Sequence, residues 1–277
     1  MKSALKLFFI AFLVLSLAGC IKSTVHVTVQ NNGSGTVEES FLLSSGMLQM
    51  ISGMGESFGD EGNGKIDLID REKLEQKASI MGGGAKLSSV EKISDNDMQG
   101  YRAVYTFSDI NTLSINQNPD GNMPDIPSEN TEKKQTKKEL VTFQLQKNTK
   151  TNSSTLTIIN PQDSSEEKED VKGEEKQAAQ GEMSPEMMEM FKQMFKDMRI
   201  TVTVSVDGKV LKTDASYIDG STVILIDMDF NKIIANEDAF KKLTASDPQS
   251  VEQTKQLIQS VPGIKAELKD QVTVEFK

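Results

Sequence analysis

Residues whose types could do chemistry are few in this chain. Its 277 residues include one cysteine, Cys20, and one histidine, His26. Ser–His and Cys–His nucleophilic catalysis each need a partnered base, and a histidine-based metal site needs several ligands, so all of these lose their parts. Carboxylates are abundant, 41 in all, yet none stands in a recognisable acid–base pair, so glycosidase-type chemistry has no candidate. His26 falls on the polar side of an alternating stretch and reads as a solvated strand residue. Cys20 is set apart by what precedes it. Lys2 and Lys6 open the chain, an apolar run extends from Leu7 to Leu17, and Ala18-Gly19 bring small residues up to the thiol. That is the layout of a secretory signal peptide. The run is shorter than the roughly 20 apolar residues that a membrane span requires.

Leu17-Ala18-Gly19-Cys20 resembles the lipobox of bacterial lipoproteins. The resemblance implies that residues 1–19 are removed and that Cys20 becomes the acylated first residue. Each buried acyl methylene contributes about 0.8 kcal/mol, and two or more chains make the anchoring stable. Residue 21 is Ile rather than Asp, so by analogy with Gram-negative sorting rules nothing would retain the protein at an inner membrane. The expected location is extracytoplasmic, lipid-anchored at the cell membrane or the outer membrane. With its single thiol acylated the chain can form no disulfide, and the fold must rest on its core.

A second stretch bears on metal binding. Residues 59–70 lie between two predicted helices and resemble the calcium loops of EF-hands and dockerins. Asp60, Asn63, Asp67 and Asp70 would be the candidate ligands and Gly64 the tight-turn glycine. Counting back from Gly64 puts Gly59 where the first Asp belongs, and the last position is Asp70 rather than a bidentate Glu. A plain acidic loop is the better reading, and neither a metal nor a cofactor is expected.

Charge narrows the partners. Without Lys2 and Lys6 the mature chain carries 29 basic against 41 acidic residues, a net −12. An acidic domain argues against nucleic acid and against docking on anionic lipid through a basic patch. Trp is absent and Tyr occurs three times, which argues against an aromatic platform for sugars or bases.

The elements that must position these residues follow from periodicity. Val25, Val27 and Val29 alternate with His26, Thr28 and Gln30, the mark of a half-buried strand. Asn31 to Gly35 reads as a turn and Thr36 to Leu43 as the returning strand. The spacing predicts a helix over 44–58 and a second over 70–81, capped by Asp70 and stopped by Gly82-Gly83-Gly84. Strands follow over 85–94, 101–107, 140–146 and 154–159. Residues 160–183 are charged and nearly free of large apolar side chains, an acidic linker expected to be disordered. Ser184-Pro185 opens a third helix. Arg199 to Val206 alternates as a strand, Asp207-Gly208 signals a hairpin, and residues 209–216 are expected to return along it. A turn at Asp219-Gly220, a strand over 221–229, short helices over 237–243 and 248–259, and a last strand over 272–276 complete the chain. The expected organisation is a signal peptide over 1–19, two parts of one domain over 20–159 and 184–277, and the linker between them. The expected class is α+β, an antiparallel sheet built from hairpins with Met-rich amphipathic helices packed on one side.

Two of those helices are unusual in composition. One carries Met47, Met50 and Met54 on a face, and the other Met187, Met190, Phe191 and Met194. Methionine fills irregular gaps and recurs at adaptable apolar binding surfaces. These faces would be core against the sheet, a groove that admits an acyl chain or apolar peptide, or a surface in contact with the membrane.

Gly208-Lys209-Val210-Leu211-Lys212-Thr213-Asp214-Ala215, followed by Asp219-Gly220-Ser221-Thr222, resembles a segment of LppM-like bacterial lipoproteins. Those proteins also begin a strand just after the lipidated cysteine, as Val25 to Val29 does here ahead of Gly33-Ser34-Gly35. The resemblance implies a compact α+β lipoprotein with a groove for lipid or glycolipid. The expected function is thus a membrane-anchored, non-enzymatic envelope lipoprotein with a structural or protein-interaction role. Its partners would be the membrane, through acyl chains on Cys20, and an envelope protein. The alternative is a lipid- or glycolipid-binding lipoprotein that uses a groove between the Met-rich helices.

Overall fold

The computed structural model describes residues 21–57, 68–117, 140–161, 189, 192, 195–245 and 251–277. Alternation builds its first element. Ile21–Val29 (β1) buries Val25, Val27 and Val29 on one face and leaves Lys22, Thr24, His26 and Thr28 half-buried on the other. Gly35–Ser44 (β2) returns antiparallel, in a register that sets Glu39 beside Val25 and Val37 beside Val27. Helix Ser45–Ser57 (α1) follows, then Arg71–Met81 (α2), whose N-cap Asp70 accepts a hydrogen bond from the Lys73 N–H at 3.1 Å. Gly82, Gly83 and Gly84 all adopt positive φ and end that helix, as glycine readily does. Lys86–Asp95 (β3) and Met98–Phe107 (β4) form a hairpin whose second strand pairs with β2.

The remaining strands are Ser114–Asn116 (β5), Leu140–Asn148 (β6), Ser153–Ile159 (β7), Arg199–Val206 (β8), Val210–Thr213 (β9), Ile218–Asp219 (β10), Thr222–Asp229 (β11), Ile264–Ala266 (β12) and Gln271–Phe276 (β13). Three helices separate β11 from β12: Phe230–Ala235 (α3), Glu237–Ala245 (α4) and Val251–Ser260 (α5). The larger sheet runs β10-β11-β8-β1-β2-β4-β3 with β12 beside β11, and the smaller runs β5-β6-β7-β13-β9. Both contribute to one core, in which Val27, Val37, Phe41 and Val204 join Phe143, Leu156, Val274 and Phe276. Fully burying such a side chain contributes about 1.5–3 kcal/mol. Residues before 160 and after 184 therefore share that core, and β8 lies parallel to β1 in its centre. A smaller cluster of Ile233, Ala239, Phe240 and Val261 holds α3, α4 and α5 together. Among the described residues no helix is long and apolar enough to cross a membrane.

Two expectations need correction. Among the described residues the chain is mostly β, and no Met-rich helices are packed along one side of a sheet. A sheet with one apolar face must be covered, and here a second sheet supplies much of the cover, with Ile51 of α1 and Leu74, Ala78 and Met81 of α2. Alternation reports that a strand has a buried face but not what lies against it, so an α+β layering and a two-sheet packing give the same pattern. The second correction concerns Asp207-Gly208. The strand after it does not return along β8, because β1 occupies one edge of β8 and β11 the other. The chain crosses instead to the smaller sheet, where β9 pairs with β13.

Candidate functional site

An acidic side chain points into the core from the middle of the larger sheet. Glu39 lies between Val37 and Phe41 at the inward parity of β2, and it is 1% exposed. Tyr101 of β4 donates its hydroxyl to Glu39 Oε1 at 2.7 Å, and Lys77 of α2 reaches Glu39 Oε2 from the helix side at 2.5 Å. Burying a carboxylate without such partners would be costly, and an ion pair with a hydrogen bond offsets the desolvation. One turn of the pleat away, Tyr105 is fully buried and its hydroxyl has no hydrogen-bond partner. Burial first, and the Glu39 charge second, push both phenols well above their ordinary value of 10.0. They are therefore donors throughout the physiological range. The carboxylate, the ammonium and the Tyr101 hydroxyl satisfy one another and leave the Tyr105 hydroxyl as the unpartnered donor, and no nucleophile and base are paired among them.

Other polar side chains are built into the frame. His26 on the opposite face is half-buried rather than simply solvated: Nδ1 lies 2.7 Å from Thr203 Oγ1 and Nε2 3.2 Å from Thr28 Oγ1. Near β13, Glu267 is 7% exposed and accepts bonds from the Ser216 N–H at 2.6 Å and the Ser216 hydroxyl at 2.9 Å. Slight desolvation pushes the Asp214 carboxyl up, but the Thr273 N–H at 2.7 Å, the Thr273 hydroxyl at 3.1 Å and the Lys269 charge hold it below the usual carboxylate value.

Of the candidate groove and calcium-loop residues, Met47 and Asp70 have described side chains. Met47 is half-buried and packs against the main core. Met50 and Met54 lie in α1, with side chains outside the described set. Cys20, Met187, Met190, Phe191 and Met194 also lie outside the described residues, as do Asp60, Asn63 and Asp67. Asp70 serves as the cap of α2. Among the described residues no group of three or more His, Cys, Asp or Glu side chains could hold a metal ion. The Glu39 cluster escaped the sequence reading. Its signal was an acidic residue at an inward position of an otherwise apolar alternation, with two tyrosines four residues apart on a later strand.

No family model and no curated protein matches the chain. Among solved structures, it is similar to the NMR structure of the folded domain of LppM from Mycobacterium tuberculosis, at 10% identity and a TM-score of 0.31, over 94% of this chain and 91% of that one. The likeness is distant.

Proposed function

We propose that the chain is a bacterial envelope lipoprotein, acylated at Cys20 and acting without catalysis as a structural or protein-interaction component. The observation that carries this reading is Leu17-Ala18-Gly19-Cys20, which closes a basic and then apolar leader one residue before β1 begins. The test is to express the full chain in a bacterial host and to measure the mass of its mature N-terminal peptide. A peptide beginning at Cys20 and carrying diacylglyceryl, with the protein in the detergent phase, is the expected result. Cys20→Ala should move it to the aqueous phase. An unmodified N-terminus in the wild-type protein would overturn the reading.

Lipid or glycolipid binding is the second reading. What favours it is Tyr105, a buried donor beside Glu39 of the kind that an ester carbonyl or a sugar hydroxyl would engage.

A further inference from the structure

The topology brings α1 and the excursion through α3, α4 and α5 to one end of the larger sheet. β1 starts at Ile21, the residue that follows Cys20 in the sequence. β2 runs back to the same end, where Leu43 pairs with Ile21, and α1 leaves from there, its Ser45 N–H bonded to Asp97 O. β8 is parallel to β1 and begins there too, with Arg199 beside Lys22. Antiparallel β11 finishes there with Asp229 beside Arg199, and the excursion through α3, α4 and α5 leaves at Phe230 and returns at Gly263, whose carbonyl accepts the Asp229 N–H. Phe195 stacks on Phe230 at 5.4 Å at this corner. The opposite end of β1, a strand of nine residues, is roughly 27 Å distant.

The geometry points to this end as a surface that seats in the lipid bilayer, with α1 and the α3–α5 cluster at the headgroup boundary. The inference rests on the lipoprotein reading of Cys20, since it is the acyl chains that fix which end meets the membrane. A bilayer is the occupant that fits, because an acylated Cys20 would be followed directly by Ile21 of β1, with no tether residues between anchor and sheet. The apolar side chains at this end are half-buried: Met198 and Ile200, and Phe230, Ile234 and Leu257 packed on the small cluster. Three of its cations are paired locally, Lys22 with Asp95 at 2.6 Å, Arg199 with Asp227 at 3.0 Å and Lys232 with Asp229 at 3.2 Å. Docking therefore draws on apolar burial, and raised salt should not weaken it, in contrast to a polybasic surface.

The absence of Trp makes a background-free test available. Full-length acylated protein carrying Phe230→Trp, Lys196→Trp or Leu211→Trp is reconstituted into phosphatidylcholine vesicles with brominated or plain acyl chains. Lys196 is exposed near the Phe195 stack, so its variant survives should Phe230→Trp misfold; Leu211 is 45% exposed towards the other end. Co-flotation with the vesicles is read first, and its failure would sink the anchoring reading and this inference with it. With flotation intact, the expected result is strong bromine quenching at 230 and 196, little at 211, and no change on raising salt. Equal quenching at both ends, quenching at 211 alone, none at all, or release of quenching by salt would each overturn the docking while leaving the anchor in place.

Discussion

Two tyrosines four residues apart on β4 should respond with opposite sign to the same edit. Tyr101→Phe removes a 2.7 Å bond to a carboxylate that is 1% exposed, and a hydrogen bond to a charged group contributes about 1.5–3 kcal/mol. Glu39 would be left with Lys77 alone, so the loss should fall in that range. Tyr105→Phe removes a hydroxyl that is buried without a partner, and relief of such a group is worth about 1–3 kcal/mol, so this variant should be more stable than the parent. With a urea m-value of about 2 kcal/mol/M, the two midpoints should stand more than about 1 M apart at unchanged m. Alkaline pH supplies an independent readout. In the unfolded chain both phenols titrate near 10.0, whereas the folded state keeps their protons to higher pH. Above pH 10 the unfolded state then binds fewer protons than the native one, and stability falls as pH rises, by up to about 1.4 kcal/mol per unit for each phenol. The double Phe variant should show the shallower decline. If Tyr105→Phe proved as destabilising as Tyr101→Phe, the reasoning would be refuted. Its hydroxyl would then have a partner in solution, as the lipid reading requires.

Two further outcomes can be checked by the same unfolding measurements. Asp214 has its pKa lowered in the folded state, so its contribution is present above the ordinary carboxylate value of 3.8 and is lost as pH falls through the depressed folded value. Asp214→Asn should lower stability near neutrality and change little at low pH, which flattens the acid limb of a stability–pH curve; an unaltered acid limb would dissociate the carboxylate from Thr273 and Lys269. Gly100 pairs with Leu42 across β2 and β4, and a Cβ there would collide with the Phe41 carbonyl oxygen and press 2.7 Å from the Leu42 Cα. Both obstacles are backbone and cannot swing aside, so Gly100→Ala should cost at least about 1–3 kcal/mol, the range for overpacking, measured by thermal or urea unfolding.

Much of the strand set was legible because each strand carries its own signal. β1 reads from Val25, Val27 and Val29 alone, and α2 from Asp70 in front and three glycines behind, whatever the rest of the chain does. Pairing is different in kind. Nothing local to residues 199–206 says that they lie parallel to residues 22–29, some 177 positions away. That choice is made by which apolar faces remain uncovered once the hairpins have formed. The hairpin expected after Asp207-Gly208 failed for this reason: the turn residues allow a reversal, but the edge they would reverse onto was taken.

The same distinction accounts for the candidate site. Glu39 looks like an ordinary strand carboxylate until parity is followed from Val37 to Phe41, and parity alone then predicts a destabilising burial. Its rescue comes from Tyr101 on a strand 62 residues further on and Lys77 on an intervening helix, which no window of periodicity connects. An inward acid in an apolar alternation is thus a sequence-level statement that partners exist elsewhere. Here the fold supplies two of them, and next to them it leaves the Tyr105 hydroxyl as a donor that the apolar core does not need.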